Sequence, residues 1–296
     1  MKTMKYFFVA LLVIVAASCE NDTTNGPVGT LSLKLTDAPM HYGEFMTASV
    51  TIDKVEIGNS QNANSFMTLT DNPMTYNLLE LVNGMTSTMA NAEIPAGDYD
   101  LMRLYISSTE MKTSNGDSFT YNMNQDGYSG GGMMQNGMRL NNQNRSIDIP
   151  LNNLTISNGS MSEFLLDIDV DQSFMLEGVN FDNNMMMNMS GFTFAPTMRF
   201  VDMATSGTIE GTVQDADGNL PNATVSLMQN GILYTSTHSD ANGNYALIGI
   251  PEGAYTIKTE LDGYIMNPLG NEQNMGELNM MSKATLNVDF NMMASN

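Results

Sequence analysis

The sequence predicts an all-β protein of two antiparallel β-sandwich domains. Three observations predict it. Apolar and polar residues alternate at period two in segment after segment. Asn-Gly and Asp-Gly pairs punctuate the alternation as tight turns would. No long stretch carries helical periodicity. In TLSLKLT, Leu31, Leu33 and Leu35 share one face, with Ser32 and Lys34 on the other. In ASVTIDKVEI, Val50 and Ile52 lie in one phase and Val55 and Ile57 in the other, so a bulge is expected near Asp53-Lys54. YNLLELVNG, Tyr76 to Gly84, reads as a short helix or a strand edge. In SEFLLDIDV, Phe164, Leu166, Ile168 and Val170 point one way, and in ATLNVDFNM, Leu286, Val288 and Phe290 do. FTFAPTMRFV closes a first set of strands, and a second set begins after DMATSG, Asp202 to Gly207.

The amino terminus has a different character. Lys2 and Lys5 precede an apolar run, Tyr6 to Ala17, too short for a membrane span and long enough for a signal-peptide core. Ala16, Ala17 and Ser18 then lead into Cys19, the single cysteine of 296 residues. This stretch resembles a bacterial lipobox, with Ala16 where that family usually has leucine. The resemblance implies cleavage before Cys19, lipidation of its thiol and a membrane anchor. Lipidation also accounts for a lone thiol in an exported chain. An ordinary signal peptide with an incidental cysteine is the alternative. Glu20 to Gly29 is polar, with Gly26 and Pro27, and reads as a tether. Its acidic opening resembles the export tags of surface lipoproteins of the Bacteroidetes-type outer membrane, which implies a lipid-anchored, surface-exposed location there. The expected division is a signal peptide over 1–18, a tether over 19–28, and sandwiches over 29–203 and 207–293.

Without Lys2 and Lys5, 9 basic residues face 32 acidic ones, a net charge of about −23. Such a surface repels nucleic acid and anionic lipid, so no nucleic-acid partner is expected. The expected partners are the membrane, through the lipid, and a glycan or an envelope protein.

The segment after Gly207 contains GTVQDADGNLPNATVSL and SDANGNYALIGIPEGAYTIKTELDGY. It resembles the carboxypeptidase regulatory-like domain, a small transthyretin-like sandwich. Asp217-Gly218 and Asn242-Gly243 would make its turns, and Tyr245, Leu247, Tyr255 and Ile257 would face inward. The larger unit contains GTLSLKLTDAP, VTIDKVEI, NLLELVNG, AEIPAGDYDLMRLYI, FLLDIDVDQSF and FTFAPTMRFV. It resembles the bacterial lipoprotein family called domain of unknown function 4382, except over Asn122 to Asn144, where Gly, Asn and Met dominate. That resemblance implies an exported β-sandwich with no established activity. IPAGDYDLMRLYI and IPEGAYTIKTEL also echo each other, which suggests similar hairpins in both units.

Chemistry is harder to find. GYSGG, Gly127 to Gly131, matches the nucleophile-elbow pattern but lacks the strand before it and the helix after it. His41 and His238 have no partner at metal-ligand spacing, and HExxH, CxxC and phosphate-loop motifs are absent. LDIDVDQS would put Asp167, Asp169 and Asp171 on one strand face, where calcium is the hard cation that oxygen ligands would take. DADGN and DANGN offer oxygens too, which turn chemistry explains without a metal. Apart from calcium, no cofactor is expected.

The chain holds 29 methionines. GGGMMQNGM places Met133, Met134 and Met138 together, and NNMMMNMSG places Met185, Met186, Met187 and Met189 together. Thioethers ligate Cu(I) or Ag(I) and absorb oxidants. Methionine as apolar filler explains the same clusters and is the favoured reading.

The expected function is therefore a non-catalytic, lipid-anchored envelope protein, with carbohydrate as the ligand suggested by fold analogy. The chain has no tryptophan to stack on sugar rings, so its 11 tyrosines would do so. A soft-metal or oxidant-buffering protein is one alternative. A glycoside-acting enzyme using carboxylates such as Asp98 and Asp100 is another.

Overall fold

The computed structural model describes residues 26–38, 45–123, 138–141, 146–181, 187–266 and 277–295. The alternating segments fold as strands. The first half comprises β1 (Val28–Ala38), β2 (Phe45–Asn59), β3 (Asn62–Thr70) and β4 (Met74–Asn77), then a single 3-10 turn (Leu78–Glu80). It continues with β5 (Ser87–Pro95), β6 (Gly97–Thr113), β7 (Ser118–Asn122), β8 (Arg139–Asn141), β9 (Ser146–Ile156) and β10 (Met161–Asp169). After the one-turn helix α1 (Val170–Ser173) come β11 (Phe174–Glu177), β12 (Asn180–Phe181), β13 (Met187–Asn188), β14 (Gly191–Phe194) and β15 (Thr197–Asp202).

The two larger sheets of this half run β15-β10-β1-β5 and β3-β2-β6-β9-β8, the second with β4 also on β2 and β7 on β6. Leu31, Leu33 and Leu35 from the first share one core with Val50, Val55 and Ile57 from the second. The expected bulge is present as a register shift between Ile52 and Lys54 against β6. It turns both apolar phases of β2 inward, and Val50, Ile52, Val55 and Ile57 are all buried. YNLLELVNG divides between β4, the 3-10 turn and an Asn-Gly turn.

The second half comprises β16 (Gly207–Gln214), β17 (Thr224–Gln229), β18 (Ile232–His238), β19 (Asn244–Ile250) and β20 (Gly253–Glu260). The short strands β21 (Tyr264–Met266), β22 (Leu278–Met280), β23 (Thr285–Asn287) and β24 (Phe290–Ala294) complete it. Its sheets run β19-β16-β24-β21, with β23 also on β16, and β18-β17-β20-β22. They close on a separate core that includes Ile209, Val225, Leu227 and Phe290. Tyr245, Leu247, Tyr255 and Ile257 are buried in it, as their phase requires.

Both halves are all-β sandwiches, with one correction to the expected pairing. β1 pairs with β10 in parallel, and β16 does so with β23 and β24. The chain between β1 and β10 is long enough for the crossover that parallel strands need. The echoing motifs form equivalent corners: the Tyr99 hydroxyl donates to the Pro95 carbonyl at 2.7 Å, and the Tyr255 hydroxyl to that of Pro251 at 3.1 Å. Among the described residues, no helix is long and apolar enough to cross a membrane.

Candidate functional site

β15 ends one sheet of the first half, and β18 ends one sheet of the second. Between these two edges runs a cleft of about 640 Å³. One wall carries Thr197, Arg199 and Phe200 of β15, with Asp169 and Gln172 beside them. The other carries Gln229, Asn230, Ile232 and Tyr234. This second wall follows from the sequence QNG. Asn230 and Gly231 both adopt positive φ, +53° and +79°, the two-residue turn that joins β17 and β18. Ile232 then stands 73% exposed at the rim. Phe200 also borders a neighbouring groove of about 390 Å³ with Leu154, Phe164 and Thr205.

Asp169 ends β10 and caps α1. Its Oδ1 accepts the Gln172 backbone N–H at 2.9 Å, and its Oδ2 accepts the Gln172 side-chain amide at 2.6 Å. Burial pushes this carboxyl up to about 6, against the pull of the Gln172 N–H and with the help of the Asp167 and Asp171 charges.

Behind the cleft, two clamps join the halves. Arg199 donates through Nε and Nη2 to Asp167 Oδ2, at 2.6 Å each, and through Nη1 to the Gly249 carbonyl at 3.1 Å. Its guanidinium lies 4.6 Å from the centre of the Tyr234 ring. Tyr234 in turn meets Tyr255 edge-on. Asp167 is only 2% exposed, so this ion pair is nearly dry, and removing one partner would strand a charge.

The second clamp is Asn83, in an Asn-Gly turn closed by the Met85 N–H on the Val82 carbonyl. Its backbone N–H donates to Thr237 Oγ1 at 3.1 Å. Its side chain accepts the Ala246 N–H at 2.6 Å and donates to the Asn244 carbonyl at 3.3 Å. That side-chain amide thus stands where one peptide unit of a neighbouring strand would, along the edge strand β19. Apolar contact completes the junction. A Cβ on Gly249, at φ +66°, would lie 2.8 Å from Leu165 Cδ2 and 3.6 Å from Val201 Cγ1.

The acidic candidates do not form one face. β10 stops at Asp169, so Asp171 lies in α1 rather than on the strand, because Asp169 caps the helix there. Asp167 is held by Arg199. Among the described residues, no three His, Cys, Asp or Glu side chains come together to hold a metal ion. DADGN and DANGN follow turn chemistry: Asp215 Oδ1 accepts the N–H groups of Asp217 and Gly218, and Asp240 Oδ1 those of Asn242 and Asn244.

Met138 and Met189 are buried in the first core. Met187 begins and Asn188 ends the short strand β13. Cys19, His41, Met133, Met134, Met185, Met186 and the GYSGG segment lie outside the described residues.

Sequence reasoning missed Arg199, Tyr234, Asn83 and Asn230. Two of them stand in Asn-Gly pairs, which were readable as turns. Arg199 is one of only 11 basic residues and sits inside an apolar strand, a placement that asks for a buried partner.

Solved structures are similar in part. The TIE protein of Bacillus anthracis is 14% identical over 90% of this chain, with a TM-score of 0.26. This chain spans about half the length of that one, 51%. BcpA, the major pilin subunit of Bacillus cereus, is 10% identical over 89% of this chain and 70% of its own, with a TM-score of 0.22. The shaft pilin spaA of Lactobacillus rhamnosus GG is 9% identical over 91% and 99%, with a TM-score of 0.23. No curated protein matches the chain. Family models match in two places: a carboxypeptidase regulatory-like domain over residues 208–291, and a domain of unknown function, DUF4382, over residues 28–188. The chain therefore belongs to the DUF4382 family and carries a carboxypeptidase regulatory-like domain behind it.

Proposed function

We propose that this chain is a non-catalytic, lipid-anchored binding protein of the outer envelope, and that the cleft between β15 and β18 takes a carbohydrate. The lining of the cleft carries the reading. Tyr234 and Phe200 offer aromatic surface to the apolar side of a sugar ring. Around them, the amides of Gln172, Gln229 and Asn230 and the hydroxyl of Thr197 suit ligand hydroxyls. The carboxylates in the cleft are already engaged, Asp167 by Arg199 and Asp169 by Gln172, which favours binding over acid–base chemistry.

A glycan-array screen tests this on the soluble form beginning after Cys19, with and without calcium. Retention of a defined glycan class is expected, without a calcium requirement, and Tyr234→Ala should weaken it at least about tenfold, the loss of one good stacking contact. An array with no hits, or full binding by the Tyr234→Ala variant, would remove the cleft from the reading.

The anchor is tested separately. Cys19→Ala should move the protein from the membrane fraction to a soluble one and abolish palmitate labelling. Unchanged membrane partition would remove the lipoprotein assignment.

A further inference from the structure

The cleft and the groove beside it meet. Pro150 of β9 and Phe200 of β15 line both. β15 is the last strand of its sheet. β8 accompanies β9 only from Ser146 to Asp148, so among the described residues β9 is the margin of the other sheet from Ile149 onward. The two cavities thus follow one flank of the first sandwich, where its sheets part. Thr197, the first residue of β15, lines the cleft, and Asp202, the last, lines the groove. Together they extend over the whole strand, about 17 Å at about 3.3 Å per residue.

We propose that the two cavities form one trough for an unbranched, uncharged oligosaccharide longer than a disaccharide, with Phe200 as the platform they share. The proposal rests on the carbohydrate reading of the cleft and extends it to a ligand class. Length is the first support. The second is the sequence of surfaces along the trough. Tyr234 stands in the cleft. Phe200 follows, its ring stacked on that of Phe164 with centres 5.0 Å apart and planes at 13°, and Phe164 is buried. The platform is therefore held in place before a ligand arrives, which lowers the cost of binding. Beyond it, the hydroxyls of Thr155, Ser162 and Thr205 line the groove and suit ligand hydroxyls.

Charge supplies the third support. Asp167, Asp169 and Asp202 line the trough, and Arg199 is its one basic residue. That guanidinium is already bound to Asp167 and to the Gly249 carbonyl. A uronic acid or sulfated chain would meet carboxylates and no available cation, so the trough selects against it. An extended peptide fits less well, because it would need backbone partners on the banks. Pro150 has no N–H to give. The Asp202 carbonyl already accepts the Thr205 N–H and the Ser206 hydroxyl.

Titration calorimetry on the soluble form beginning after Cys19 tests the proposal. The probes are linear gluco-, manno-, galacto- and xylo-oligosaccharides, from single sugars to hexasaccharides, with uronic acid oligosaccharides beside them. In the series that binds, the tetrasaccharide should bind at least about tenfold more tightly than the disaccharide, the gain of one further stacking contact. The uronic acid series should bind at least about tenfold more weakly. Ala204 is exposed and lines the groove, so Ala204→Leu adds bulk there without disturbing a core. It should erase the gain with length and leave disaccharide affinity unchanged, whereas Tyr234→Ala should weaken every length. The amide signals of Ala204 and Thr205 should move with the tetrasaccharide and not with the disaccharide, which reads the groove without any substitution.

Equal affinity at all lengths would overturn the trough and leave the carbohydrate reading of the cleft standing. Binding by none of the probes would sink both. Uronic acid chains that bind as tightly as uncharged ones would overturn the ligand class. A length gain that Ala204→Leu keeps in full, with Ala204 and Thr205 signals unmoved, would put the extra units outside the groove and overturn the proposal. Saturation of those signals by an extended valine–threonine peptide, and by no sugar, would give the trough to a strand.

Discussion

Asn83 does the work of a strand with one side chain. Its amide meets a carbonyl and an N–H two residues apart on β19, the spacing at which a neighbouring strand would bind. It can do so only because the Asn-Gly turn holds it at φ +57°, a conformation asparagine tolerates better than most residues. Two substitutions separate these contributions. Asn83→Gly keeps the turn and loses the two side-chain bonds, for about 1–2 kcal/mol at the usual worth of a hydrogen bond. Asn83→Ala loses the same bonds and also strains the backbone, adding about 1 kcal/mol. Urea denaturation of both variants checks the order. Equal losses would mean that the turn carries no strain, and no loss in either would mean that the clamp is idle. The turn itself was legible in the sequence. Its attachment was not, since Ala246 stands 163 residues away and no local pattern names it.

At the scale of elements, the hairpins were the most legible part of the chain. IPAGDY and IPEGAY share a spacing, and the structure gives both tyrosines one role, a bond from the ring hydroxyl to the proline carbonyl four residues back. The bond fixes the corner from which β6 and β20 depart. Tyr99→Phe and Tyr255→Phe should each destabilise by about 1 kcal/mol, because the ring stays buried and only the hydrogen bond goes. The corners belong to different cores, so the losses should add in the double variant. Thermal melts of the three proteins check this, and a double loss far from the sum would show that the corners are coupled.

Other elements were less legible, for identifiable reasons. β10 buries Leu165 as well as Leu166, because its outer face receives Gly249 of the second half. Period-two reading assumes one wet face and so left that side unassigned. The end of β10 has a local signal: Asp169 and Gln172 have the N-cap and N3 spacing of a capping box, and Asp169 Oδ1 accepts the Gln172 backbone N–H. Carrying the strand through Asp171 produced the calcium face that the structure does not form.

The molecule as a whole is two cores and one junction. The second core draws every one of its buried members from Ile209 to Met292. Its first strand is also secured from within: Gly207 packs on Met280 and Ala284, and Gly211 on the Val288 backbone. The junction adds hydrogen bonds from Asn83 and Arg199 and the packing of Gly249 on Leu165 and Val201, but no member of that core. A fragment from Ser206 to Asn296 should therefore fold alone, with dispersed amide signals and a cooperative thermal transition, since domains of this size close their own cores. It should melt below the intact protein, because Thr235, Thr237 and the Ala246 N–H lose their partners across the junction. Broad melting without dispersed signals would mean that the second sandwich needs the first to fold. A melting point equal to that of the intact protein would mean that the junction contributes nothing to its stability.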